Sequence, residues 1–138
     1  MILRIAYVSR AAPGVTERDA FDIIRVAHNR NRQHDLSGGL VFLDGHFAQV
    51  LEGLPYRVVE RYERIARDPR HCDLDLRLQA QVRERLFEGE WMALRCAQEI
   101  DPALLRERAY APGWPADRFG GDALVDFVKA CCKAGAVA

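Results

Sequence analysis

Hydrophobic positions along the chain recur at two spacings, and their order predicts an α+β domain. Residues 2–8, ILRIAYV, are apolar and alternating enough for a strand. From residue 17 to about 31, Ala20, Ile23, Ile24 and Ala27 recur at helical spacing, and Thr16 with Asp19 three residues on has the form of an N-terminal cap. Residues 37–43 and 46–52 read as two strands joined by Asp44-Gly45, a strong hairpin signal because a tight turn of this kind needs positive φ at both central positions. Pro55 opens a second helix with Val58, Tyr62, Ile65 and Ala66 as its apolar stripe, and Pro69 ends it. Residues 74–82 alternate strictly, which places Leu74, Leu76, Leu78, Ala80 and Val82 on one face, and residues 90–97 form a last strand.

The order β-α-β-β-α-β-β matches a ferredoxin-like βαββαβ(β) sandwich, with two helices on one sheet face. Several strands are apolar on both faces, so the second face needs a cover. The tail supplies it: DPALLRERAY and GDALVDFVKACCKA each read as a short amphipathic helix, joined by a loop over 112–121. The expected organisation is a domain over 1–98 and a helical extension over 99–138 packed on its sheet.

Composition narrows the class without naming a function. The chain has 138 residues, 49% of them hydrophobic, enough for one domain with a real core. Twenty basic residues balance 20 acidic ones, so no overall field favours nucleic acid. No apolar run reaches the ~18–20 residues of a membrane span. Cys72, Cys96, Cys131 and Cys132 form no CxxC pair, and a reduced, cytoplasmic protein is expected.

Polar residues fall on faces that should be buried. Gln49 shares a strand face with Phe47 and Leu51, and Tyr7 shares one with Leu3 and Ile5. Asn31 continues the apolar stripe of the first helix. Arg64, Asp68, Arg70 and His71 cluster at the end of the second. Each has an ordinary structural explanation: a tyrosine bonded to a carbonyl, an asparagine capping a helix, an i,i+4 ion pair between Arg64 and Asp68, a histidine at a helix C-terminus. Together they would surround a planar heteroaromatic ligand held between the two helices.

The sequence resembles the BLUF domain, the blue-light sensor using flavin, from Ile2 to about Arg95. The resemblance is carried by RIAYVSR, by NRNRQHDLSGGLVFLDGHFAQVLEG and by YERIARDPRH. The family has a Tyr in the first strand, an Asn shortly before an Ile-Thr-Gly-like step, F-x-Q-x-L-E-G and D-x-R-H. These motifs fall on Tyr7, Asn31, Leu36-Ser37-Gly38, Phe47–Gly53 and Asp68–His71. The resemblance implies FAD as cofactor, with FMN or riboflavin as alternatives. It implies Tyr7 and Gln49 as the photoactive pair, Asn31 and Asp68 at the imide edge of the ring, and Ile23 and Ile65 on its two faces. Arg64, Arg70 and His71 would contact the ring side or the ribityl portion, and Arg30 would stack on the flavin, reach a phosphate, or remain solvated.

One departure concerns the last strand. The family carries W-x-M there, whereas this chain has EWM, with Met92 at the expected spacing and Trp91 one place late. Neighbouring strand residues face opposite sides, so Trp91 and Met92 reach the same side only through a bulge.

The resemblance implies a short stand-alone photoreceptor that turns over no substrate. It would signal to a separate partner protein, with no membrane or direct nucleic-acid partner. A homo-oligomer is also expected, because ALVDFVKACC carries more apolar surface than one face needs. The alternative is a ferredoxin-like protein-interaction module without photochemistry, favoured by the displaced tryptophan. A flavin-dependent redox enzyme lacks support, since no nicotinamide site and no nucleophile–base pair is present.

Overall fold

The computed structural model describes residues 1–133. Its elements are β1 (Ile2–Ala11), α1 (Glu17–Gln33), β2 (Ser37–Leu43), β3 (His46–Gly53), α2 (Pro55–Ala66), β4 (His71–Val82), β5 (Trp91–Cys96), α3 (Pro102–Glu107) and α4 (Gly121–Lys133), with a short 3-10 turn over Ala97–Glu99. The local signals act as expected. The Thr16 backbone N–H donates to Asp19 Oδ2 at 2.8 Å, starting α1. Asp44 and Gly45 both take positive φ, 51° and 72°, as the β2–β3 turn requires. Ala134, the last residue of the expected final helix, lies outside the described residues.

The sheet order is β4-β1-β3-β2-β5, with β5 parallel to β2 and the other pairs antiparallel. This is the ferredoxin-like order with one strand added at the β2 edge. The alternation of the central strands divides their residues between two cores. Leu3, Ile5, Leu40, Phe42, Phe47 and Leu51 face α1 and α2. Ala6, Val8, Val41, Leu43, Ala48 and Val50 face α4 and the loop before it. A one-residue slip of β3 would exchange the two sets, so burial on both faces fixes the register.

Two expectations are corrected. The strict alternation of residues 74–82 does not place all five apolar residues on one face: a bulge at Arg77 shifts the register between Ala6↔Leu78 and Tyr7↔Leu76. Leu78 packs into the α4 core, whereas Leu76 pairs with Tyr7 and is 40% exposed. The bulged Arg77 donates to the carbonyls of Trp114 and Phe119 at 2.7 and 2.6 Å, tying the loop before α4 to the sheet. Second, the apolar surface of α4 is used within the chain. Leu124, Val125, Phe127, Val128, Cys131 and Cys132 are all buried, and Trp114, from the expected loop, is completely enclosed with them. The apolar excess on which a homo-oligomer was expected is therefore not on the surface.

Candidate functional site

α1 packs over β2 and β5, α2 packs over β1 and β3, and a cleft of about 420 Å³ lies between the helices with the sheet as its floor. Its volume falls in the ordinary range of small-molecule sites. The walls carry Ile23, Ile24 and Ala27 from α1 and Ile65 from α2, while Leu40, Phe47 and Leu51 rise from the strands. These apolar walls suit a flat, largely apolar ring.

The polar groups of the floor form a chain. Tyr7 and Gln49 are direct register partners across β1 and β3, and both are buried. The Tyr7 hydroxyl donates to Gln49 Oε1 in a short hydrogen bond. Gln49 Nε2 donates in turn to Met92 Sδ at 3.3 Å. Burial, with smaller contributions from Tyr62 and Asp68, pushes the Tyr7 phenol well above its ordinary pKa, so it holds its proton at physiological pH.

Met92 reaches this position through a bulge. Gly38 pairs with Trp91 and Gly39 with Ala93, which leaves Met92 as the extra residue, with φ 111° and its side chain in the core beneath the helices. Gly38 is required beside it: a Cβ there would meet the Val50 carbonyl oxygen at 1.9 Å. Trp91 itself is half-buried and lines neither the cleft nor either core. A bulge is present, as the spacing of Trp91 and Met92 required for the two to share a side, yet it brings only Met92 to the cleft. The bulge delivers Met92 to the cleft, while Trp91 contributes its backbone carbonyl, which accepts from Asn31 Nδ2 at 3.2 Å.

Asn31 is buried, and its Oδ1 has no hydrogen-bond partner. An enclosed acceptor without a donor costs about 1–3 kcal/mol, so a donor from a ligand in the cleft is the natural completion. The imide N–H of a flavin is such a donor, and the residues present fit that group.

On the α2 side, Asp68 pairs with Arg70 rather than with Arg64: Arg70 Nε and Nη2 lie 2.5–3.1 Å from the carboxylate oxygens. The hydrogen bonds from Arg70 hold the Asp68 carboxyl below its usual range, against the opposing effect of burial. His71 Nε2 lies 2.5 Å from the Ile65 carbonyl and Nδ1 lies 2.7 Å from Ser9 Oγ. A carbonyl only accepts, so Nε2 carries a hydrogen and donates to it, while Nδ1 shares a second hydrogen bond with the Ser9 hydroxyl. His71 therefore clamps the end of α2 to β1 while lining the cleft. Arg30 and Arg64 also line it, both exposed.

The family model for BLUF, sensors of blue-light using FAD, matches residues 2–93. The chain belongs to the BLUF family. The photoactivated adenylate cyclase subunit beta of Euglena gracilis is 35% identical to this BLUF chain over 96 residues, 70% of this chain and 11% of that protein. The subunit alpha of the same organism is 34% identical over 86 residues, 62% of this chain and 8% of that protein. The chain thus spans about a tenth of the length of these curated relatives, and their cyclase activity is a property of those proteins. Among solved structures, the photo-activated state of BlsA superposes over 100% of this chain and 99% of its own, with TM-score 0.84 and 20% identity, which shows the fold. BlrP1 of Klebsiella pneumoniae, solved with FMN and cyclic diGMP, gives TM-score 0.70 and 26% identity over 78% of this chain and 29% of its own. BLUF domains bind flavin, and the family is one of blue-light sensors.

In this BLUF domain the cleft gathers Tyr7, Gln49, Met92, Asn31, Arg30 and Ile23, and from the α2 side Ile65, Arg64, Asp68, Arg70 and His71. The sequence reading missed Arg61, which lines the same cleft and is only 7% exposed. It stands on the α2 stripe with Val58, Tyr62 and Ile65, and a charge at that spacing was the available signal. Cys131 and Cys132 are buried, and burial pushes both thiols up to about 12, which makes them packing residues rather than reactive ones. No helix among the described residues is long and apolar enough to cross a membrane.

Proposed function

We propose that this chain is a blue-light receptor whose photochemistry runs through Tyr7 and Gln49 beside an FAD held in the α1–α2 cleft. The observation that carries the reading is the chain Tyr7–Gln49–Met92 on the floor of a cleft that Asn31, with its unpartnered Oδ1, also lines. Bound flavin supplies blue-light absorption and, when excited, a one-electron oxidant. Ile23 and Ile65 offer apolar surface to its ring, and Asn31 Oδ1 accepts from its imide N–H. Asp68, kept anionic by Arg70, adds a fixed negative charge to the same cleft.

Tyr7 is suited to yield an electron and a proton together, because burial disfavours its anion and its proton already points along a hydrogen bond to Gln49. The carboxamide of Gln49 has a donor end and an acceptor end, so proton relay leaves it rotated or tautomerised. Turned end for end, it presents Oε1 to a thioether that cannot donate. The Gln49–Met92 bond then breaks, and the change reaches β5 through its bulge.

The output passes from β5 and the helices that follow it to a signalling effector. The four free thiols fit a cytoplasmic setting. An absorption spectrum of the purified protein before and after blue light tests the reading. A yellow protein whose flavin bands shift slightly red and recover in darkness is the expected result. A yellow protein with no shift would remove the photochemistry and leave the cofactor.

A further inference from the structure

Arg61 is an anomaly of the cleft. It is 7% exposed, its Nε is enclosed without a hydrogen-bond partner, and it forms no ion pair among the described residues. Two further guanidiniums line the same cleft. Arg64 stands one turn along α2, and Arg30 reaches in from α1; neither is in an ion pair among the described residues. The acids of the neighbourhood offer little compensation: Asp68 belongs to Arg70, and Asp22 lies 3.9 Å from Arg25. Burial first, then the repulsion of Arg30 and Arg64, holds the Arg61 pKa below its ordinary value, with only Glu60 opposing. Burial first, then the same field of Arg57, Arg61 and Arg30, lowers the half-buried His34, with Glu60 opposing. A guanidinium that is buried, unpartnered and flanked by like charges is costly unless an anion completes it.

A flavin that fills the cleft offers an anion with only one of its parts. The oxidised ring and the ribityl hydroxyls are neutral, so three cations gain nothing from them as charges. The phosphate carries the charge, and a guanidinium fork suits phosphate oxygens. We infer that Arg61, flanked by Arg30 and Arg64, is a phosphate-binding residue of the cleft, which makes this chain select the phosphorylated flavins over riboflavin. The inference rests on the reading of the cleft as a flavin site, and deepens it.

The test is a fluorescence titration of the full-length apoprotein with riboflavin, FMN and FAD at low and high salt. The wild type should bind FMN and FAD about tenfold more tightly than riboflavin, since one charge-assisted contact is worth roughly that factor, and salt should narrow the gap. Arg61→Gln should bring FMN and FAD down to the affinity of riboflavin while leaving riboflavin unchanged, and Arg61→Lys should restore part of the preference. Equal loss for all three flavins, or an unaltered FMN-to-riboflavin ratio, would overturn the inference and leave the flavin site standing. Should the variants fail to fold, the wild type decides alone: inorganic pyrophosphate should compete with FMN and not with riboflavin, and competition with neither overturns the inference. Failure of all three flavins to bind would remove the flavin site itself, and the inference with it.

Discussion

Tyr7 and Gln49 face each other across the β1–β3 ladder, and the phenol of one donates its hydrogen bond to the amide oxygen of the other. Cross-strand partners on one face stand close enough for their side chains to meet without backbone movement. The pair is therefore held by the sheet itself, and a switch in its hydrogen bonding is local to side chains at the start.

Replacing Tyr7 by Phe removes the hydroxyl and keeps the ring. The fold should survive with a cost of about 1 kcal/mol, since Gln49 loses one partner. Flavin should remain bound and the light-induced shift should vanish in an absorption difference spectrum. A normal shift in Tyr7→Phe would show that the photochemistry runs elsewhere.

Gln49→Leu keeps the volume and deletes both ends of the relay. The expected protein is yellow and photochemically silent, with Tyr7 left needing a new acceptor. Infrared difference spectra should lose the carboxamide bands assigned to the switch; their persistence would remove Gln49 from that role.

Asn31→Ala deletes the enclosed acceptor and the donor to the Trp91 carbonyl together. Flavin affinity should fall about tenfold, the equivalent of one buried hydrogen bond of roughly 1–1.5 kcal/mol. Titration of the apoprotein reads this directly, and an unchanged affinity would make Asn31 a purely structural residue.

Glu52 holds the segment that leads into β5. It is fully buried, pairs with Arg4 at 2.7 Å, and accepts from the backbone N–H groups of Leu86 and Phe87 at 2.9 Å each. Glu52→Gln keeps the shape but strands Arg4 and turns an acceptor into a donor beside two N–H groups. Urea unfolding should show a loss of about 3–5 kcal/mol. A loss below about 1 kcal/mol would mean that the 84–90 segment is anchored by other contacts.

The Asp68–Arg70 pair gives a pH signature with a definite sign. The folded pKa of Asp68 is depressed, chiefly by the Arg70 hydrogen bonds, so its contribution is present above the unfolded value of about 3.9 and disappears as pH falls through the folded value. For a partly exposed pair it should be at most about 1 kcal/mol. The stability difference between wild type and Asp68→Asn should be constant near neutrality and shrink toward zero in acid. A difference that grows on acidification would contradict the assigned pairing.

Much of the fold was legible because its signals are local. The Thr16–Asp19 cap, the Asp44-Gly45 turn and Pro55 act within a few residues, and two-face burial of the central strands shows as near-continuous apolar runs. Most of the site was legible too, since Gln49 and Asn31 are polar at apolar spacing. Arg61 carries the same signal one turn from Ile65, masked by the neighbouring charges of α2.

The chain's own sequence determined the elements, the β3 register and the family, because caps, turns and alternation depend on neighbours in the chain. Only the tertiary structure decided which long-range partners complete them. The bulge that brings Met92 to Gln49 depends on the Gly38 backbone fitting against Val50. The burial of Trp114 under α4 depends on Arg77 at a bulge in a distant strand. Each of these is set by packing between segments far apart in the chain.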